Sequence, residues 1–201
     1  MCAYRHLLSI DADRYRDHLL RLDVDSRYAR FSGFTSDATI KRYVEDIDWK
    51  KSRITGYFHE GELRGAGEIR FEKALLPARA ELAFSVEKEF QNSRVGTALM
   101  ARSLIMLRNR GVTTADVVCL LSNRRMQKLA LRYRADVEAH SGDVFMTIKV
   151  PYGNIGTLLS ELTDGYIGWM NTGLDLALTL PRPSVFLAAR SPRHLHDGAA
   201  L

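Results

Sequence analysis

Residues 80–107, AELAFSVEKEFQNSRVGTALMARSLIML, decide the fold of this chain. The pattern predicts an apolar strand over residues 81–86, a tight polar turn over residues 91–97, and a helix beginning near Arg94. The first turn of a helix leaves backbone N–H groups without partners and carries the positive end of the helix dipole. Such a turn binds phosphate groups, and Gly96 lets a ligand approach the backbone closely. We therefore expect main-chain atoms of this turn to bind a phosphorylated cofactor.

Strands and helices alternate on both sides of this unit. Residues 114–121 are a continuous apolar run with β-branched residues, which indicates a buried strand, and a helix follows from Asn123. A strand, a helix and a second strand predict a right-handed crossover with two parallel strands. Periodicity predicts further elements: helices over residues 12–22 and 37–48 joined by a basic aromatic loop, a hairpin that turns at Glu60-Gly61, and a last strand over residues 143–150.

The element order predicts one α/β domain with a mixed sheet over residues 1–150. Apolar residues recur with helical spacing through residues 151–180, so we expect a helical C-terminal appendage there. Its apolar face predicts that it packs on its own domain or forms a homodimer contact. Residues 181–201 are dominated by Pro, Arg, Ser and His, which indicates a flexible tail.

The composition excludes several classes of protein. The chain has 201 residues, of which 46% are hydrophobic and 26% charged, as in ordinary globular proteins. No apolar run is long enough to span a membrane, and the N-terminus lacks a secretory leader, so we expect a cytoplasmic protein. The net charge is +5, but the sequence contains no known nucleic-acid-binding motif. We therefore do not expect a nucleic-acid-binding protein. The six histidines lack metal-ligand spacing within an ordered element, so we expect no metal site.

The strand, the turn and the following helix together resemble the GNAT superfamily of N-acetyltransferases. The phosphate loop of that family, Gln/Arg-x-x-Gly-x-Gly/Ala, is matched by residues 91–96, QNSRVG. The resemblance is nearest to the GNAT domains of Pat-like protein acetyltransferases. Their Ala-Glu-x-Ala-x-x-Val strand is matched by residues 80–86, and their Asn-x-x-Met-x-x-Leu-Ala helix by residues 123–130. It implies a mixed, mostly antiparallel sheet with a central, splayed parallel strand pair flanked by helices (α/β, or α+β by some schemes).

The resemblance also implies the reactants. Acetyl-CoA is the implied donor, and the implied acceptor is an amine, either a protein lysine or a small amine. The CoA diphosphate would lie on backbone N–H groups of residues 93–98, and the pantetheine arm would run along residues 82–86. The implied cofactor-binding residues are Phe84, Ser85, Val86, Gln91, Asn92, Ser93, Arg94, Val95, Gly96, Thr97, Ala98, Asn123 and Met126.

Two glutamates are candidates for the base that removes a proton from the amine. Glu81 matches the Pat-like glutamate, and partial burial would raise its proton affinity; the alternative is a solvent-facing glutamate paired with Arg79. Glu68, on the hairpin, is the second candidate, and its alternative is a cross-strand salt bridge. Backbone N–H groups of Phe84 or Val86 would polarise the thioester carbonyl.

The chain departs from the family pattern at two positions. Arg94 stands at the first family glycine, and we expect it to keep an ordinary α or bridge backbone, since positive φ strains a non-glycine residue. Its guanidinium is long enough to reach a cofactor phosphate. Many family members protonate the leaving thiolate with a tyrosine at the position of Ala130, whereas Tyr133 lies about one turn further on.

The remaining candidate residues each have a structural alternative. Asn123 either anchors the pantetheine arm or caps its helix, and the two roles are compatible. Met126, Leu129 and Tyr133 have the spacing of core residues. Three residues between the first two helices either line the acceptor site, as in the family, or pack on the sheet: Tyr28, Arg30 and Phe31. The competing hypothesis for the whole chain is a non-catalytic acyl-CoA-binding or sensing module.

Overall fold

The computed structural model describes residues 2–72, 79–153, 156–159, 161 and 163. No helix in this part of the chain is long and apolar enough to cross a bilayer. The strands and helices follow one another in this order: β1 Cys2–Leu7, α1 Ala12–Arg21, α2 Val24–Phe31, α3 Asp37–Glu45, β2 Ser52–His59, β3 Glu62–Phe71, β4 Arg79–Val86, α4 Val95–Asn109, β5 Thr114–Leu120, α5 Arg124–Leu131, β6 Asp136–His140 and β7 Asp143–Lys149.

The strands form one seven-stranded sheet in the order β1-β2-β3-β4-β5-β7-β6. Strands β4 and β5 pair in parallel, and the other described neighbours pair antiparallel. The hairpin β2–β3 turns at Glu60 and Gly61, whose φ angles of 54° and 80° suit the twist of a two-residue turn. The sheet is therefore mixed and mostly antiparallel, which confirms the expected fold class.

The helices lie on two faces of the sheet, because successive strand residues point to opposite sides. On one face, α1, α2 and α3 pack around a core that includes Leu19, Ile40 and Ile54. On the other face, α4 and α5 cover β4, β5 and β7 around Met100 and Met146. This division places the start of α4 beside the end of β4, where the two cores meet.

Three elements differ from the sequence-based expectation. The stretch expected to be a loop between the first two helices contains a helix, α2, because Asp23 caps it by accepting a hydrogen bond from Ser26 N (2.9 Å). Strands β1 and β6 were not expected. They are the two edges of the sheet, and every residue of β6 is exposed, so its sequence carries no burial pattern.

Most of the expected appendage and the whole expected tail lie outside the described residues. Residues 156–159 are helical, and the contacts that follow lead back to the domain. Asn109, at the end of α4, donates to Thr157 O (3.0 Å), and Arg110 forms an ion pair with Glu161 (2.9 Å). This segment therefore packs on its own domain, while a dimer contact stays a prediction.

Candidate functional site

A turn rich in free backbone donors joins β4 to α4. Among the described residues, no group accepts a hydrogen bond from the backbone N–H groups of residues 92–97, and the first helical bond runs from Ala98 N to Arg94 O (2.9 Å). The first turn of α4 contains no acidic side chain. Because these donors lie at the positive end of a helix of 15 residues, the turn favours an anion. We refer to residues 91–97 as the phosphate loop.

Arg94 has a left-handed backbone conformation, with φ 67° and ψ 3°, and Asn92 has φ 61°. The expectation that Arg94 keeps an α or bridge backbone is therefore wrong. Left-handed residues next to helical ones turn successive N–H groups toward one point, which is an arrangement that binds anions. A non-glycine residue pays about 1–2 kcal/mol for this conformation. The loop thus keeps the shape that a glycine would give it, and the strain accompanies an anion-binding geometry.

The parallel strand pair separates next to this loop. Strands β4 and β5 pair only at Arg79–Thr114, Ala80–Ala115 and Glu81–Asp116. Beyond Glu81, β4 continues to pair with β3 as far as Val86, but with no residue of β5. This leaves a V-shaped slot whose vertex lies at Glu81 and Asp116 and whose open end meets the phosphate loop. The structure therefore has the splayed pair that the sequence resemblance implies.

Side chains of four expected cofactor-binding residues are already bonded within the protein, and one of them is Ser93, whose Oγ donates to Phe90 O. Gln91 Nε2 donates to Val86 O and to Ser26 Oγ, both at 2.9 Å. Ser85 Oγ lies 2.9 Å from His18 Nε2 in the interior. Asn123 Oδ1 accepts from Met126 N (3.1 Å), so the capping alternative is correct. The Asn123 amide NH₂ donates to no described residue, and it remains available to a ligand.

A groove of about 700 Å³ opens at the vertex of the slot. Its walls carry the carboxylates of Glu81, Asp116 and Glu138. Its apolar side chains include Val118 and Phe145, which are 40% and 44% exposed. The groove therefore combines exposed apolar side chains with walls of mixed charge, because Arg70, Arg79 and His140 line it together with the carboxylates. It adjoins the point where the slot ends.

Glu81 is exposed. The expectation of partial burial is wrong, because the Glu81 side chain lines the open groove at the vertex of the slot. Of the structural alternative, the solvent-facing position is found but the pair with Arg79 is not, because the Arg79 guanidinium donates to both Asp116 carboxylate oxygens (3.0 and 2.9 Å). Glu81 thus stands beside the vertex without an ion-pair partner among the described residues.

Glu68, the second candidate base, lies at the centre of a buried polar cluster. Its carboxylate is 1% exposed and accepts hydrogen bonds from Tyr15 Oη (2.8 Å), Tyr43 Oη (2.5 Å), Arg30 Nη2 (2.7 Å) and Arg70 Nε (2.9 Å). The expected alternative, a salt bridge across strands, is wrong in detail. Three partners come from α1, α2 and α3, and the fourth lies two residues along the same strand.

This cluster stabilises the ionised form of Glu68. Burial alone would raise the pKa of the Glu68 carboxyl, but the Arg30 and Arg70 guanidiniums and the Tyr43 hydrogen bond outweigh it, so the pKa lies below its ordinary value. A carboxylate that is saturated by four donors and holds its proton weakly is a poor general base. Glu68 therefore joins three helices to the sheet, and Glu81 is the better placed candidate.

A second buried cluster fixes the end of β4. Glu87, just after the strand, accepts from Arg64 Nη1 (2.8 Å) and Arg21 Nε (3.1 Å) and lies 3.1 Å from His18 Nδ1. Burial works against ionisation, but the His18 and Arg64 hydrogen bonds and the neighbouring charges lower the pKa of Glu87 to about 2. Burial lowers the pKa of His18, so its ring is neutral at pH 7 and bridges Glu87 to Ser85.

The other candidate residues divide between core and surface. Met126, Leu129 and Tyr133 pack against the core beneath α4 and α5, as their spacing predicts. Phe31 packs with the helices of the opposite face, and Arg30 is committed to Glu68. Tyr28 is 37% exposed and stacks edge-on against Phe34. The acceptor-lining alternative for these residues thus stays open for Tyr28.

Sequence reasoning missed Asp116 and the pair His18–Glu87. Asp116 lies within a continuous apolar run, and only the register of the parallel pair shows that it neighbours Glu81. His18 has helical spacing with Tyr15 and Leu22, so the pattern indicates an ordinary buried position. A polar residue on an apolar helix face is a usable signal, because a buried imidazole requires partners. In the described ranges, no three His, Cys, Asp or Glu side chains come together as a metal site.

The model of the Acetyltransferase (GNAT) family matches residues 18–134, which is more than half of the chain. No curated protein matches the chain in sequence.

Solved structures with the same fold include three acetyltransferases. The GNAT domain of S. lividans PAT is similar with a TM-score of 0.63 and 20% identity, over 73% of this chain and 89% of that one. The acetyltransferase of the GNAT family from Streptococcus pneumoniae gives 0.59 and 14%, over 75% and 100%. The PaiA N-acetyltransferase from Thermoplasma acidophilum, in complex with coenzyme A, gives 0.56 and 16%, over 74% and 99%. At these identities the likeness concerns the fold.

Proposed function

Because this chain belongs to the GNAT family of acetyltransferases, we propose that it transfers an acetyl group from acetyl-CoA directly to a primary amine. The observation that carries this proposal is the early end of the β4–β5 pairing at Glu81–Asp116. It leaves a slot that begins at backbone donors without a described acceptor and ends at a groove where the Glu81 carboxylate forms no ion pair with a described residue. A donor with a diphosphate at one end and a thioester at the other matches this order of groups.

The phosphate loop supplies the seat for the CoA diphosphate. Its donors are the N–H groups of residues 92–97, which have no acceptor in the described chain. The left-handed Arg94 turns these groups toward a common point. The helix dipole adds favourable potential for a charge of this sign. Because backbone atoms make these contacts, the loop can bind a diphosphate even though Arg94 stands where the family has a glycine.

The pantetheine arm lies in the slot between β4 and β5. Its two amides pair with β4 groups that lack a β5 partner over residues 82–86, and the Asn123 NH₂, which donates to no described residue, supplies a further donor. The Phe84 ring packs closely over Gly67 of β3 on the α4 side of the sheet, since a Cβ at Gly67 would lie only 2.9 Å from that ring and 3.4 Å from Ser103 Oγ. The Phe84 or Val86 N–H then polarises the thioester carbonyl.

The acceptor amine enters through the groove. Glu81 removes a proton from the ammonium form, directly or through one water, since only the neutral amine has the lone pair that attacks. The N–C bond forms as the C–S bond breaks, and the thiolate takes up a proton to leave as CoA. Glu81 is exposed and free of ion pairs within the described residues, whereas Glu68 is saturated by four donors.

The test is thiol release from acetyl-CoA with a panel of primary amines, comparing the wild type with Glu81→Gln. We expect kcat to fall by about 10²–10⁴-fold, while the affinity for acetyl-CoA in titration calorimetry stays the same. Glu138→Gln is the matched control, since Glu138 is an exposed carboxylate of the same groove, and its kcat should change by less than about threefold.

Two outcomes would contradict the proposal. If Glu81→Gln keeps wild-type kcat, the base is a different group. If acetyl-CoA binds the wild type but no amine releases thiol, the chain is an acyl-CoA-binding or sensing module.

A further inference from the structure

The side of α5 that adjoins the phosphate loop carries a row of cations. Arg125, Lys128 and Arg132 recur at spacings of three and four residues, which places them on one side of the helix. All three are exposed, and none forms an ion pair with a described acidic residue. We call these three residues the cationic row.

Two contacts place the cationic row next to the phosphate loop. The Arg125 guanidinium donates to Gln91 Oε1, at the start of the loop. One turn further along α5, Leu129 faces Gly96, because a Cβ at Gly96 would lie 3.9 Å from Leu129 Cδ2. Arg125 and Arg132 flank Leu129 on the helix surface. The row therefore borders the seat that the CoA diphosphate takes in the proposed function.

The charge of this region is one-sided. Residues 121–135 contain five Arg or Lys and no Asp or Glu. Residues 91–98 contain Arg94 and likewise no acidic residue. Most other cations of the domain are neutralised: Arg5, Arg21, Arg30, Arg64 and Arg79 all form ion pairs. An unneutralised cluster at the mouth of an anion seat indicates a second anionic group in the ligand.

We propose that the cationic row binds the 3′-phosphate of coenzyme A. This inference rests on the proposed function, because it assumes that the diphosphate occupies the phosphate loop. The 3′-phosphate is attached to the same ribose that carries the diphosphate, so it cannot lie far from the loop. As a phosphomonoester it carries about −1.5 to −2 charges at pH 7 and three acceptor oxygens. Arg and Lys side chains at spacing i, i+3 and i+7 can approach it together from one side.

This assignment gives the chain a donor preference. Backbone donors of the phosphate loop recognise any diphosphate, whereas the cationic row distinguishes CoA from dephospho-CoA, which lacks the 3′-phosphate. The row thus selects the complete cofactor over its dephosphorylated form and over pantetheine thioesters. Because the cations are exposed, the preference weakens as the salt concentration rises.

Titration calorimetry with CoA and with dephospho-CoA tests the proposal. We expect single changes Lys128→Gln and Arg132→Gln each to weaken CoA binding about threefold to tenfold. The affinity for dephospho-CoA should change by less than about twofold, since exposed cations far from the lost phosphate act weakly. Lys41→Gln is the matched control, because Lys41 is an exposed lysine of α3 on the opposite face, and it should change neither affinity.

The outcomes separate this inference from the proposed function. Equal losses for the two nucleotides, or no loss for either, would overturn the 3′-phosphate assignment and leave the diphosphate seat standing. Failure of the wild type to bind both nucleotides would overturn both proposals. Adenosine 3′,5′-bisphosphate against 5′-AMP gives a second readout that is independent of the slot, and the variants should weaken only the bisphosphate.

Discussion

Replacing Glu68 by Gln removes the one negative charge of the buried cluster that joins α1, α2 and α3 to the sheet. The carboxylate is 1% exposed and the Arg30 side chain 6% exposed. Glutamine retains one acceptor oxygen, which can serve the side where Tyr15, Tyr43 and Arg30 donate. Its amide NH₂ then faces Arg70 Nε, so two hydrogen-bond donors oppose each other and neither has an acceptor. We expect Glu68→Gln to fold but to be substantially less stable than the wild type.

The magnitude follows from the two arginines. Removing one partner of a buried ion pair costs about 3–5 kcal/mol, because the remaining charge is left uncompensated. Arg70 is 40% exposed and can turn into solvent, so its share is small. Arg30 cannot do so, and we expect a loss of about 3 kcal/mol in the free energy of unfolding. For a domain of this size, that lowers Tm by about 6–12 °C.

The assay is urea unfolding followed by circular dichroism. Glu81→Gln is the control, since loss of an exposed carboxylate that has no ion pair with a described residue should change the free energy of unfolding by less than about 0.5 kcal/mol.

The stabilisation by Glu68 depends on pH. Because the pKa of Glu68 is lowered in the folded state, this stabilisation is present above the ordinary glutamate pKa of 4.5 and is lost as the pH falls below that value. The difference between wild type and Glu68→Gln should therefore shrink at acid pH. A stability loss under about 1 kcal/mol at pH 7, together with a 100-fold loss of kcat, would show that Glu68 acts in the chemistry and would refute this reasoning.

Two further predictions concern the ends of the slot. Arg94→Gly should raise the free energy of unfolding by about 1 kcal/mol in thermal melts, because glycine adopts φ 67° without strain; Arg94→Ala keeps the strain and should give no gain, and equal melts for the two variants would contradict the argument. Glu87→Gln should lower stability by about 2 kcal/mol at pH 7 through lost charged hydrogen bonds. Because the pKa of Glu87 is lowered from 4.5 to about 2, that stabilisation is present above pH 4.5 and fades as pH falls toward 2, and an unchanged difference at pH 3 would contradict it.

The central part of the fold could be predicted because several local signals agree there. The strand before the loop, the helix after it and the next apolar strand are each encoded by residues close in sequence, and the crossover rule then fixes their parallel pairing. The hairpin at Glu60-Gly61 carries its own turn chemistry. In contrast, β6 is an edge strand with every residue exposed, so the alternation of burial that marks a strand is missing.

The candidate site was only partly predictable for a related reason. The phosphate loop uses backbone N–H groups, and its position follows from where the helix starts. The state of a side chain depends on partners that are distant in sequence. Glu68 is held by Tyr15, 53 residues away, and the exposure of Glu81 depends on which face the helices leave open. The backbone of Arg94 was mispredicted because the intrinsic preference of Arg was weighed without the shape that the loop imposes.

The separation of β4 and β5 gives this sheet two inner edges in addition to the outer edges at β1 and β6. Unpaired strand edges invite association with strands of other chains. Here the inner edges diverge from a common point, so no flat strand can match the spacing of both at once. A thin, flexible chain that carries amide groups can adjust its conformation and form hydrogen bonds to the diverging edges. The same geometry that disfavours pairing with a foreign strand therefore suits a small flexible ligand, which in the proposed function is the pantetheine arm.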